Sequence, residues 1–181
     1  MRDLTQARRG PLLKPGALVK TLPPATRFIL RGGPAVRAAA EQALALEVPA
    51  SPCRAALDGE RAALWLGPDE WLLLASEGSA ASLAPALSAA LQALPHSLVD
   101  VSHRQIALTV EGPAAETLLA AGCPLDLDAR AFPIGMCTRT VLGKAEIVLW
   151  RTGTEAFRIE VWRSFAGYLC AFLAEAAHGI G

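Results

Sequence analysis

The chain has 181 residues, with 17 Lys and Arg against 17 Asp and Glu and 52% apolar residues, a pI near 6.8 and a mean hydropathy of +0.34. Balanced charge excludes a nucleic-acid reader or a polybasic membrane binder, both of which need an excess of Lys and Arg, and the apolar excess excludes a disordered chain. This length supports one domain or two tightly fused halves, burying about 70% of the surface that the unfolded chain exposes.

No apolar run reaches the ~18 residues of a transmembrane helix. The charged opening, interrupted by Pro11, Pro15 and Gly16, lacks the apolar stretch and small-residue cleavage site of a signal peptide. The expectation is a cytoplasmic protein. Residues 1–24 are rich in Pro, Gly and charge without a period, and they read as an extended arm. Residues 25–181 read as a single α+β domain made of two similar halves, about 25–96 and 97–181.

In the first half, Arg27–Arg31 is a strand pattern followed by Gly32-Gly33-Pro34-Ala35 and a helical stretch to Leu46. Gly ends a strand at no steric cost, and Pro fits the first helical turn, where its missing N–H is not required. The helix puts Val36, Ala40, Ala43 and Leu44 on one face and pairs Arg37 with Glu41 at i,i+4 on another. A short strand near Cys53–Leu57 precedes a hairpin, Ala62–Leu66 and Trp71–Ala75, turning at Gly67-Pro68-Asp69-Glu70. Leu83, Leu87, Leu91 and Leu94 then recur at helical spacing.

The second half repeats this order. Gln105–Val110 is a strand, Gly112-Pro113-Ala114 enters a helix at an offset of 79 from Gly33 (112 against 33), and Gly122 ends it. A strand at Cys137–Leu142 precedes a second hairpin, Ala145–Arg151 and Ala156–Trp162, around Thr152-Gly153-Thr154-Glu155. Phe165, Leu169, Phe172 and Ala176 mark a last helix with Ser164 as its N-cap. Two pseudo-duplicated β-α-β-β-β-α units define an α+β, two-layer fold.

The most motif-like stretch is Val99–Gln105, VDVSHRQ. Read as a strand, it places Asp100, Ser102 and Arg104 on one face and Val101 and His103 on the other. Ser102 and His103 then diverge, so the base is out of reach of the nucleophile and no hydrolytic triad forms locally. In the final strand Phe157, Ile159 and Val161 face a core, while Arg158, Glu160 and Trp162 face outward. A Trp on a polar face is either covered by a helix of its own chain or anchors a partner, and Trp150, beside Arg151, admits the same two readings. Trp65 and Trp71 flank the equivalent hairpin of the first half. The partner-contact candidates are His103, Arg104, Trp150, Trp162 and Arg163.

Other chemistry is missing. Cys53, Cys123, Cys137 and Cys170 are dispersed without a C-x-x-C pair and read as packed thiols; His96, His103 and His178 are equally scattered. There is no dinucleotide loop, no phosphate loop, no H-E-x-x-H and no glycine-flanked nucleophile. No catalytic, cofactor-binding or metal-binding residue is expected.

The segments Val99–Thr140, Trp65–Ala75 (WLGPDEWLLLA) and Arg158–Leu169 (RIEVWRSFAGYL) resemble the gamma subunit of heterotetrameric sarcosine oxidase, GCPLDLDARAFPIG (Gly122–Gly135) being the most specific run. The chain is more distantly similar to the folate-binding domain of aminomethyltransferases, the T protein of the glycine cleavage system, through the D-x-S-H strand, the G-P-x-A helix entry and the later hairpin. Where those enzymes carry acidic residues on a strand, this chain reads GKAEIVLWR (Gly143–Arg151), with Glu146 alone and Ala145 or Ile147 in place of the neighbouring acid. The resemblance implies a non-catalytic structural subunit, with alpha, beta and delta subunits as partners, in a complex that oxidises sarcosine to glycine and hydrogen peroxide. In that family the one-carbon unit passes to tetrahydrofolate. The flavins FAD and FMN sit on the beta subunit, NAD and folate on the alpha subunit, and zinc on the delta subunit, leaving none on this chain. The alternative it implies is a tetrahydrofolate-binding one-carbon transfer protein, with Glu146 as the acid and Arg151 or Arg163 anchoring a glutamate tail.

Overall fold

The computed structural model describes residues 12–13 and 16–179. In chain order the elements are β1 (Leu12–Leu13), β2 (Ala17–Thr21), β3 (Ala25–Gly32), α1 (Pro34–Leu44), β4 (Ala55–Asp58), β5 (Arg61–Gly67), β6 (Glu70–Ser76), α2 (Ala80–Leu91) and β7 (His96–Asp100). They continue with β8 (Gln105–Glu111), α3 (Ala115–Ala120), β9 (Cys137–Leu142), β10 (Ala145–Gly153), β11 (Ala156–Trp162), a short 3-10 turn (Arg163–Phe165) and α4 (Ala166–His178). The β-α-β-β-β-α order expected from the repeat is therefore present twice, and the fold is α+β. Among the described residues no helix is long and apolar enough to cross a membrane.

The chain divides into two compact units. One comprises Pro24–Ser102 with Met136–Thr138; the other comprises the described residues up to Pro23, His103–Gly135 and Arg139 onward. The first holds a five-stranded sheet in the order β4-β5-β6-β3-β7, the second a six-stranded sheet in the order β1-β2-β8-β11-β10-β9. The strands β4, β5, β6 and β3 thus match β9, β10, β11 and β8. The place beside β3 is taken by β7, and the matching place beside β8 by β2, both antiparallel.

That last equivalence revises the expected arm. Within it Ala17–Thr21 is a sheet strand, registered from Leu18 opposite Glu111 to Thr21 opposite Leu108. Ala17 and Val19 are buried while Lys20 is exposed, the alternation of a half-buried strand. Residues 1–11 and 14–15 of the arm lie outside the described residues. At the midpoint of the repeat, β7 starts at His96 and pairs with β3 of the first half, from Gly32–His96 to Phe28–Asp100.

The first unit closes one core between its sheet and both helices. Phe28, Leu30, Ala63, Trp71, Leu73 and Ala75 of the sheet meet Val36, Ala40 and Leu44 of α1 and Leu83, Leu87 and Leu91 of α2, each large side chain contributing about 1.5–3 kcal/mol. The helix entry is as expected: Gly33 is the N-cap, Pro34 opens the first turn, and Arg37 meets Glu41 at 2.8 Å. In the second unit Val19, Leu108, Val110, Leu118, Leu119, Leu149, Phe157 and Ile159 are buried.

Two expectations fail locally. VDVSHRQ is not one strand, because β7 stops at Asp100, whose carboxylate accepts the Ser102 N–H at 2.8 Å, and the Ser102 hydroxyl accepts the Arg27 N–H at 2.9 Å. These side chains satisfy backbone donors in a turn, so the alternation assumed for Asp100, Ser102 and Arg104 does not hold. The last helix is out of register with the expected stripe. The 3-10 turn comes first, Phe165 rather than Ser164 is the N-cap with no side-chain cap bond, and the buried stripe is Ala166, Leu169, Leu173 and Ala177.

Candidate partner-contact surface

The surface forms where the ladder between β8 and β11 runs out. Gln105, the first residue of β8, is registered opposite Trp162, the last of β11. One further backbone bond extends the ladder, the Arg163 N–H donating to the Arg104 carbonyl at 2.9 Å. That bond holds residues 103–104 against 162–163. The 3-10 turn then redirects the chain into α4, and an open depression of about 550 Å³ is left, lined by His103, Arg104, Trp162, Arg163, Ser164 and Gly167.

Four of the five expected contact residues therefore share one site. Trp162 is 45% exposed on the face of β11 opposite Phe157, Ile159 and Val161, which are fully buried. The Arg104 guanidinium lies over its ring, 5.1 Å from the centroid, a cation–π contact that fixes the plane of the indole. Phe165 and Tyr168 add exposed aromatic surface nearby in sequence; the Tyr168 hydroxyl accepts the Lys144 N–H at 2.9 Å. The helical spacing expected of Phe165, Leu169, Phe172 and Ala176 assigns Phe165 to the buried stripe, so its exposure is not legible from the sequence.

The charge of this site is one-sided. Arg31, Arg37, Arg130, Arg151 and Arg158 each approach a carboxylate within the chain. Arg104 and Arg163 form no ion pair among the described residues. A chain with zero formal net charge thus concentrates unpaired positive charge around one exposed Trp.

Trp150 does not belong to this surface. It is only 6% exposed, on the interior strand β10 opposite Arg158. A charged neighbour does not mark an exposed strand here, because Arg151 is itself buried, 3% exposed. The Arg151 guanidinium donates to the carbonyls of Leu127 at 2.8 Å, Phe132 at 3.2 Å, Gly153 at 3.3 Å and Thr154 at 2.5 Å. It also lies 5.0 Å from the Phe157 ring centroid and 3.6 Å from a Glu116 oxygen. These bonds pin the loop Gly122–Gly135 to the β10–β11 turn. The loop is further shaped by Asp126 and Asp128, whose carboxylates accept N–H groups two residues on, and Arg130 beside Asp128 holds that carboxyl below its usual range.

The arrangement removes Arg151 as an anchor for a glutamate tail. Glu146 and Arg151 are an odd number of residues apart on β10 and leave opposite faces of the strand, and Arg163 lies in the surface described above. The cysteines are free thiols. Burial pushes the Cys137 thiol up to about 12, and it donates to the Arg54 carbonyl at 3.3 Å, the environment of a packed residue rather than a nucleophile. No group of three or more His, Cys, Asp or Glu among the described residues is placed to hold a metal ion.

The duplicated fold, with a strand-to-helix turn at each Gly-Pro-Ala, is the fold of aminomethyltransferases. The glycine cleavage system aminomethyltransferase T from Bartonella henselae superposes with a TM-score of 0.64 at 16% identity, over 89% of this chain and 46% of that one. The family is narrower: the sarcosine oxidase gamma subunit family model matches residues 31–179, and the chain belongs to that family. The sarcosine oxidase subunit gamma of Corynebacterium sp. (strain U-96) is 34% identical over 97% of this chain and 93% of its own length. That of Corynebacterium sp. (strain P-1) is 41% identical over 64% of this chain, and that of Arthrobacter sp. 43% over 54%. The chain spans about half the length of these last two relatives, 56% and 47%. A chain of heterotetrameric sarcosine oxidase from Corynebacterium sp. U-96, solved in complex with pyrrole 2-carboxylate, superposes with a TM-score of 0.84 at 34% identity, over 90% of this chain and 84% of that one.

Proposed function

We propose that the chain is a structural, non-catalytic subunit of a cytoplasmic sarcosine oxidase assembly, holding alpha, beta and delta subunits in register. The observation that carries this reading is the exposed Trp162 with Arg104 stacked over it, beside His103 and Arg163. Trp and Arg concentrate at the centres of protein interfaces, where a buried aromatic anchor supplies most of the affinity. The apolar excess and zero net charge of the chain suit a permanently assembled subunit, since obligate interfaces are the more hydrophobic ones. The Corynebacterium sp. U-96 chain that superposes on it comes from a heterotetramer.

On this reading the oxidation of sarcosine to glycine, the flavins FAD and FMN, NAD, tetrahydrofolate and zinc belong to the other subunits. Co-expression tests it. The chain is expected to elute with the other oxidase subunits on size exclusion, and leaving it out should prevent assembly. If those subunits assemble and turn over sarcosine without it, while it elutes alone, the proposal fails.

A further inference from the structure

The depression at the end of β8 and β11 carries a sign as well as a shape. Its lining supplies two guanidiniums, from Arg104 and Arg163, and the imidazole of His103, with no Asp or Glu among the six lining residues. Neither guanidinium is neutralised within the described residues, whereas Arg31, Arg37 and Arg130 lie within 2.9 Å of a carboxylate oxygen. Arg104 does not reach into solvent at random. Its guanidinium is held over the indole of Trp162, 5.1 Å from the ring centroid. The backbone bond from Arg163 to Arg104 then keeps both residues at the same depression. A partner covering this surface with apolar groups alone would desolvate two unpaired charges with nothing to offset the loss of their hydration.

We infer that the occupant is an acidic segment of another subunit, presenting an Asp or Glu carboxylate to Arg104 and Arg163 and a flat side chain to Trp162. This inference rests on the reading of the chain as an assembly subunit and adds the chemistry of what docks. Guanidinium–carboxylate pairing is bidentate and directional, so it fixes the register of the partner as well as attracting it. Complementary charge also speeds encounter and makes the association sensitive to salt.

The experiment uses the assembled complex and measures the dissociation constant of this chain from the remaining oxidase subunits between about 50 and 500 mM salt, where screening shortens from roughly 14 to 4 Å. The wild-type chain is expected to lose affinity steeply with salt. The double variant Arg104→Glu with Arg163→Glu is expected to bind at least about tenfold more weakly at low salt and to lose most of that salt dependence. Trp162→Ala should weaken binding at every salt concentration and leave the slope in place. A milder variant guards against misfolding: Arg163→Lys, treated with a carbodiimide in the complex, should give a cross-link between the introduced amine and an Asp or Glu of another subunit. Assembly with an unchanged salt slope in the charge-reversed variant overturns the acidic occupant and leaves the structural-subunit reading standing. Failure of the wild-type chain to assemble at all overturns both, and calorimetric binding of inorganic phosphate by the isolated chain with no effect of the variants on assembly assigns the site to a small anion instead.

Discussion

Gly16 and Gly112 pass so close that a Cβ on Gly112 would fall inside the Gly16 carbonyl group, and the Gly112 backbone holds φ at +114°. The contact lies where the N-terminal strand β2 turns in beside β8, with the Ala114 N–H directed at the same Gly16 carbonyl at 3.4 Å. Gly112→Ala should therefore destabilise in two ways, through left-handed backbone strain of about 1–3 kcal/mol and through displacement of β2. Gly59→Ala, at φ +56° with nothing within 4 Å, supplies the comparison, since it carries strain alone. Urea unfolding should show the larger loss for Gly112→Ala; equal losses would mean that β2 does not press on this turn.

The two tryptophans Trp162 and Trp71 should separate assembly from stability. Trp71 is 2% exposed and its indole N–H donates to the Pro49 carbonyl at 2.8 Å. Trp71→Ala should cost about 3–5 kcal/mol of unfolding free energy in the isolated chain. Trp162→Ala should cost less than about 1 kcal/mol there, yet weaken subunit binding by about tenfold or more. A large drop in melting temperature for Trp162→Ala would move that residue into the core.

Removing Arg151 should loosen a loop more than a sheet. Arg151→Met retains much of the apolar stem but leaves four carbonyls without their donor, and breaking such a buried charged network costs about 3–5 kcal/mol. Limited proteolysis should then cut within Gly122–Gly135 before other sites. An unaltered cleavage pattern with unchanged urea midpoint would show that the loop holds itself.

The Cys137 thiol gives stability a dependence on alkaline pH. Its folded value is raised by burial from an ordinary 9.0 to about 12. Above pH 9 the unfolded chain releases this proton while the folded chain keeps it, so the folded state binds more protons and stability falls as pH rises. The loss should run between pH 9 and 12 and be smaller in Cys137→Ala. Iodoacetamide at pH 8 should leave Cys137 unlabelled until denaturant is added.

Where the sequence reading succeeded, local chemistry and tertiary context agreed. Gly33-Pro34 and Gly112-Pro113 mark both strand-to-helix turns, and β9 and β11 begin and end where expected, because turn residues bracket short apolar runs. Three features were decided by distant partners. Ala17–Thr21 has a strand pattern too short to stand out from its Pro and Gly neighbours, and only pairing with β8 reveals it. Asp100 and Ser102 break VDVSHRQ because the Arg27 N–H, far away in sequence, needs an acceptor. Arg151 is buried because backbone carbonyls of a loop converge on it, and nothing in GKAEIVLWR announces that. The exposure of Trp162 is legible from the alternation of β11, but the same rule turns Glu160 outward, and that residue is buried, 1% exposed, with its carboxylate accepting from Arg158. The stacking of Arg104 and the shift of α4 by one residue had to come from the structure.

The position of β2 beside β8 also sets an order of events during synthesis. Translation delivers β1 and β2, then every strand of the five-stranded sheet, and only afterwards β8. Once Ser102 has emerged, the first unit has all its strands and needs only Met136–Thr138 to complete it, so it can condense while the chain is still growing. β2 meanwhile has only the two-residue β1 to pair with, since β8 is not yet made. A ribosome paused once Ser102 has cleared the exit tunnel would hold a formed five-stranded sheet and a β2 still waiting for β8, so β2 joins its main partner only after five strands made later than it have found theirs.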